Sequence, residues 1–134
     1  MPGVKLVRDR MREIPWRGEG AKQYLFQATT NTPAYRTLLR DKVFEESTEL
    51  ANARTMSEVI EESADLYEVI LAMIVDRGIA GSRTSAEQCL QFYARVKYEE
   101  RGGFIQGLCF AGPVRPDHPH FTTPRYTTPT EADT

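Results

Sequence analysis

FEESTELANARTMSEVIEESADLYEV, residues 44–69, decides how this chain is read. It holds eight acidic residues: Glu45, Glu46, Glu49, Glu58, Glu61, Glu62, Asp65 and Glu68. The positions between them carry the spacing of buried helices. A solvated helix face is the plain reading of so much charge. Helical geometry points elsewhere, because several of the carboxylates fall on the apolar stripes.

Working outward, Thr32-Pro33 caps and opens a helix expected over 33–53, with proline at its first position. A short turn follows, and Thr55-x-x-Glu58 fits a capping box for a second helix over 57–77, stopped by Gly78. Thr84-x-x-Glu87 reads as another capping box, opening a third helix over 85–101. At ~100° per residue, Tyr35, Leu39, Val43 and Leu50 line one stripe that includes Glu46, with Glu49 beside it. In the next helix Val59, Leu66, Val69 and Met73 share a line with Glu62, and Asp65 lies one turn on. Glu46/Glu49 and Glu62/Asp65 are therefore i,i+3 pairs on inward faces. A short turn sets such helices antiparallel, so the two pairs are expected to face each other.

Four ionised carboxylates pointing inward repel and lose solvation. A hard divalent cation compensates, and oxygen ligands suit Mg²⁺, with Mn²⁺ the alternative. Neither helix holds a histidine, so the Glu-x-x-His pattern of di-iron bundles is missing. Carboxylate-held Mg²⁺ usually completes its shell with water and substrate phosphate, which points to phosphate chemistry.

Glu45-Glu46-x-x-Glu49, twelve residues, then Glu62-x-x-Asp65 resembles the signature of the MazG-like all-α nucleoside triphosphate pyrophosphohydrolases. KLVRD at 5–9 and ERGGF at 100–104 resemble the two ends of its phosphoribosyl-ATP pyrophosphohydrolase-like subgroup. The resemblance covers residues 4–110. It implies an oligomeric helical core, a dimer or a tetramer of paired dimers. It implies hydrolysis between the α- and β-phosphates to a monophosphate and pyrophosphate, with Mg²⁺ on Glu46, Glu49, Glu62 and Asp65. Some members clear unwanted nucleotides and some act on phosphoribosyl-ATP. Residues 16–32 and the tail fall outside the pattern.

Other residues acquire roles or plain alternatives. Glu45, on the flank of its helix, is a candidate to orient or deprotonate the attacking water, or is a surface residue. Lys42 is a phosphate ligand or an i,i+4 partner of Glu46. Lys97 and Arg101 precede Gly102-Gly103, either as phosphate ligands or as cations favouring a helix C-terminus. Arg8 is a phosphate ligand or an ion-pair partner of Asp9 or of the acidic helix. Trp16, Tyr24 and Phe26 are able to stack on a base, but such residues are more often core or interface. Phe92 and Tyr93 read as core, and His118 and His120 read as tail residues without a specific role.

With 134 residues, 40% hydrophobic and 27% charged, the chain suits a globular domain with a modest core. A formal net charge of -2 gives no global attraction to a nucleic-acid polymer or an anionic membrane. The longest apolar run, near 66–75, is too short to span a bilayer, and the start shows no signal-peptide core. Cys89 and Cys109 make no disulfide framework, which fits a cytoplasmic protein. Residues 66–75 are apolar around most of the helix, so a homo-oligomer interface is expected there. The expected architecture is all-α: an antiparallel helix bundle with short flanking strands at 22–30 and 102–112. A domain over 1–112 would precede a Pro/Thr-rich tail over 113–134. The expected function is Mg²⁺-dependent nucleotide pyrophosphohydrolysis. The alternative is a catalytically weak nucleotide or metal sensor on the same fold, with a partner-binding tail.

Overall fold

The structure, a computed structural model, describes residues 4–11 and 26–109. Its regular structure is three helices: α1 (Pro33–Ala51), α2 (Met56–Asp76) and α3 (Arg83–Arg101). No strand occurs among the described residues. Residues 26–29 and 107–109 lack regular structure, which corrects the expected flanking strands where they are described. The chain divides into two units, Met1–Glu100 and Arg101–Thr134. Trp16, Tyr24, His118 and His120 lie outside the described residues.

Each helix end has a chemical cause. Asn31 takes a left-handed conformation (φ 64°), which asparagine tolerates better than most residues. Thr32 is extended, and its hydroxyl accepts from the Tyr35 N–H at 3.2 Å. Pro33 then fills a position whose N–H has no intrahelical partner. At the other end Asn52 stops α1: its backbone N–H and its side-chain amide both donate to the Thr48 carbonyl. Thr55 caps α2 by accepting from the Glu58 N–H at 3.1 Å. The Glu58 carboxylate reaches back to the Arg54 N–H at 2.9 Å, one residue before the position of a standard capping box.

A Schellman motif closes α2. The Ile79 N–H donates to the Ile74 carbonyl and the Gly78 N–H to the Val75 carbonyl, with Gly78 at φ 74°. Nothing lies within 4 Å of a Cβ added at Gly78, so only backbone strain opposes a side chain there. Gly78→Ala is expected to destabilise the fold by ~1–2 kcal/mol, read as a lowered Tm. An unchanged Tm would mean that this cap contributes nothing.

The third helix begins earlier than the sequence suggested. Ser82 and Ser85 cap each other: the Ser85 N–H donates to the Ser82 hydroxyl at 3.1 Å, and the Ser82 N–H to the Ser85 hydroxyl at 3.0 Å. Thr84 and Glu87 are therefore helical, and Glu87 instead accepts from the Tyr67 hydroxyl at 2.9 Å.

α1 and α2 pack side by side. Arg36 near the start of α1 pairs with Asp76 at the end of α2 at 3.0 Å. Among the described residues the core is small: Leu39, Val69, Leu71 and Ala86 are the buried apolar residues, and Glu46 is the buried charged one. The α1 stripe holds, with Leu39 and Glu46 buried and Tyr35, Val43 and Leu50 half-buried. On α2, Glu62, Leu66, Val69 and Met73 turn inward, but Val59 is exposed because it lies in the first turn. Apart from the buried Val69 and Leu71, residues 66–75 are half-buried rather than enclosed. Polar contacts join α3 to α2, through Tyr67–Glu87 and through Arg83 on Glu68 (Nε to Oε2, 3.0 Å). Phe92 and Tyr93 are exposed and contact each other edge to face, correcting their reading as core. Adjacent residues on a helix point in different directions, and one core face cannot take both.

Candidate metal centre

Glu46 and Glu49 come from the C-terminal half of α1, and Glu62 from the second turn of α2. One carboxylate oxygen from each lies within 4.8 Å of the others. Packing explains the meeting. The stripe that buries Leu39 continues to Glu46, and the stripe that buries Val69 runs back to Glu62.

Glu49 is exposed, which corrects its expected inward placement: three positions on, it lies about 60° round α1 from the buried Glu46. The environment penalises the other two charges. Glu46 is 5% exposed, and its Oε2 is buried without a hydrogen-bond partner, as is the Oε2 of Glu62. Two orphaned acceptors in one carboxylate cluster are costly, since each gives up solvation without a replacement donor. Burial pushes the Glu46 carboxyl above the ordinary carboxylate range, against the pull of Lys42. Contact with the Glu62 carboxyl pushes Glu49 up in the same way. Crowded carboxylates take up protons more readily because like charges repel.

Cations sit at the edge of the cluster. Lys42 Nζ is 3.2 Å from Glu46 Oε1 and 3.5 Å from Glu45 Oε2. Glu45 also receives Lys5 at 3.1 Å, and that contact, with help from Lys42, holds the Glu45 carboxyl below the ordinary range. Asp65 does not join the three clustered glutamates and instead accepts from the Arg8 guanidinium. Among the ordinary partners weighed for them, Lys42 and Arg8 thus pair with Glu46 and with the acidic helix α2. Lys97 is exposed on α3, and Arg101 is the last residue of that helix.

Lys5 is the residue the sequence reading passed over. Its signal was present: Lys5 and Arg8 flank Leu6-Val7 in one short segment. One reaches Glu45 on α1 and the other Asp65 on α2.

The raised carboxyls fix a pH dependence. A carboxyl whose folded pKa lies above its unfolded value stabilises the fold at low pH. That stability is lost as pH rises through the unfolded value, ~4.3, and on to the folded one. Glu46 and Glu49 act in this direction; Glu45 and Glu68, held low chiefly by Lys5 and Arg83, lose stability as pH falls. A divalent ion that replaces the protons would remove the loss caused by Glu46 and Glu49. For a chain that binds Mg²⁺ at these carboxylates, the Tm difference between Mg²⁺ and EDTA is expected to widen as pH rises from ~4.3, over the range in which the raised carboxyls lose their protons. Melting curves across that range check this, and a gap independent of pH would contradict it.

The comparisons add no relative: no family model, no curated protein and no solved structure matches the chain.

Proposed function

We propose that the chain is a Mg²⁺-dependent nucleotide pyrophosphohydrolase. In this reading it is an antiparallel MazG-like bundle that works in the cytoplasm as a homo-oligomer. The observation that carries the proposal is the pair of orphaned, buried carboxylate oxygens on Glu46 and Glu62. A structural cluster would be expected to satisfy or expose them, whereas a metal site needs them free. The charge balance agrees. Glu45, Glu46, Glu49, Glu62 and Asp65 face Lys5, Arg8 and Lys42, which leaves two negative charges, the complement of one divalent ion. Glu68, next along α2, is already paired with Arg83. The donor set is all oxygen, as Mg²⁺ or Mn²⁺ prefers.

Glu46, Glu49 and Glu62 would hold the ion, with Asp65 a fourth ligand once released from Arg8. When bound, the ion supplies charge neutralisation for a triphosphate and acidifies a water. The chain's own part is to aim carboxylates and cations. Glu45 accepts from two lysines, which leaves it a weak base and suits it to orienting a water. Lys42 and Lys97 are the further candidates for substrate phosphate. The thin core and the exposed Phe92, Tyr93 and Tyr98 suit an oligomer that covers them.

One observation favours a second reading, a weakly catalytic nucleotide or metal sensor. The candidate base is engaged on two sides and its basicity is lowered. Phosphorus NMR of products from a nucleoside triphosphate panel with Mg²⁺ separates the two. Monophosphate plus pyrophosphate, lost in Glu62→Gln, supports the enzyme. Nucleotide binding without turnover supports the sensor. Diphosphate plus inorganic phosphate would contradict α–β cleavage.

A further inference from the structure

The cluster supplies negative charge, yet a polyphosphate ligand needs positive charge, and the nearest cations are committed elsewhere. Residues 4–8 form an irregular segment. Lys5 binds Glu45 on α1 and Arg8 binds Asp65 on α2, so the segment straps the two helices together across the acidic face. Both cations remain accessible, with 62% and 58% of their side chains exposed. Leu6 between them is half-buried and fixes the segment's position. The strap holds Asp65 away from the three clustered glutamates while Glu46, almost wholly buried, keeps an oxygen with no partner.

We propose that Lys5 and Arg8 are stand-in counter-cations that become phosphate ligands. They neutralise the acidic face until a divalent ion takes over that charge, and then turn to the phosphates of a polyphosphate ligand. The inference rests on the metal-site reading above and adds an order of binding, the ion before the polyphosphate, and a ligand residue, Lys5. Exposed ion pairs are weak, on the order of 1 kcal/mol or less, so the strap is displaceable. A free cation three residues from another suits a chain of phosphates better than a single one, because two phosphoryl groups can be held at once. Arg8 offers a forked donor and Lys5 a mobile point charge.

The test uses the full chain with Val4→Cys, an exposed position next to Lys5, in a Cys89→Ser/Cys109→Ser background. A nitroxide at position 4 reports the strap's mobility, and a melting curve of the same sample reports metal binding. Mg²⁺ is expected to raise the Tm and to free the label. Inorganic pyrophosphate added on top is expected to immobilise it again. Arg8→Gln should leave the label mobile from the start. It should bind Mg²⁺ at least as tightly as the parent but pyrophosphate roughly tenfold more weakly, the size of a lost charged hydrogen bond. A label that stays fixed while Mg²⁺ raises the Tm would overturn the strap and leave the metal site standing. No Tm shift and no mobility change would overturn both. An Arg8→Gln protein whose pyrophosphate affinity is unchanged would also overturn the inference.

Discussion

Glu46→Gln is expected to abolish Mg²⁺-dependent turnover and, in the same protein, to raise the stability of the metal-free state. The two signs have one cause. Glu46 is a buried carboxyl beside Glu49, with one oxygen lacking a partner and Lys42 as its ion-pair partner. An amide of nearly the same shape removes the repulsion and offers an N–H₂ to the neighbouring carboxylates. A gain on the order of 1 kcal/mol at pH 7 fits the trade between stability and function seen where a site stores unfavourable charge. The amide also removes one anionic ligand, so the Mg²⁺-induced Tm rise should vanish. For the parent that rise corresponds to ~2.7 kcal/mol when the ion is at a hundred times its Kd. Melting curves of both proteins with EDTA and with Mg²⁺ read all three changes. Lower stability in the metal-free variant would mean that Glu46 is a structural ion-pair partner of Lys42 and not a ligand in waiting.

The second large effect lies in the core. Leu71 is 1% exposed and is the largest fully buried side chain among the described residues. Leu71→Ala is expected to cost ~2–5 kcal/mol. In a domain of this size that corresponds to a Tm drop of about 10 °C or more. Ile60, 71% exposed on the same helix, is the control, and its replacement by alanine should cost less than ~0.5 kcal/mol. Chemical denaturation of the two variants checks the contrast. Equal small losses would mean that the α1–α2 pair is held by something other than its buried stripe.

Much of this was legible in the sequence because it is local. Thr32-Pro33, Thr55-x-x-Glu58 and Gly78 mark helix ends through bonds that span only a few residues, and each does so in the structure. The inward placement of Glu46 and Glu62 follows from the helical period alone. Two local readings failed for identifiable reasons. Ser82 and Ser85 were as able to cap as Thr84 and Glu87, and capping earlier leaves Glu87 available to Tyr67. Residues 102–109 have strand-like composition, but a strand needs a neighbour and none exists among the described residues. What periodicity could not reveal is the long-range pairing. Arg8 and Asp65 are separated by 57 positions, and nothing in either helix predicts that an N-terminal arginine removes the fourth acidic residue from the cluster.

The most direct measurement is equilibrium binding of Mn²⁺, followed by the loss of its free-ion paramagnetic resonance signal, for the parent chain and for Glu62→Gln. One saturable site per chain, weakened at least tenfold by the substitution and displaced by Mg²⁺, is the predicted result. No saturable binding, or binding that Glu62→Gln leaves unchanged, would contradict a divalent-metal centre at Glu46, Glu49 and Glu62.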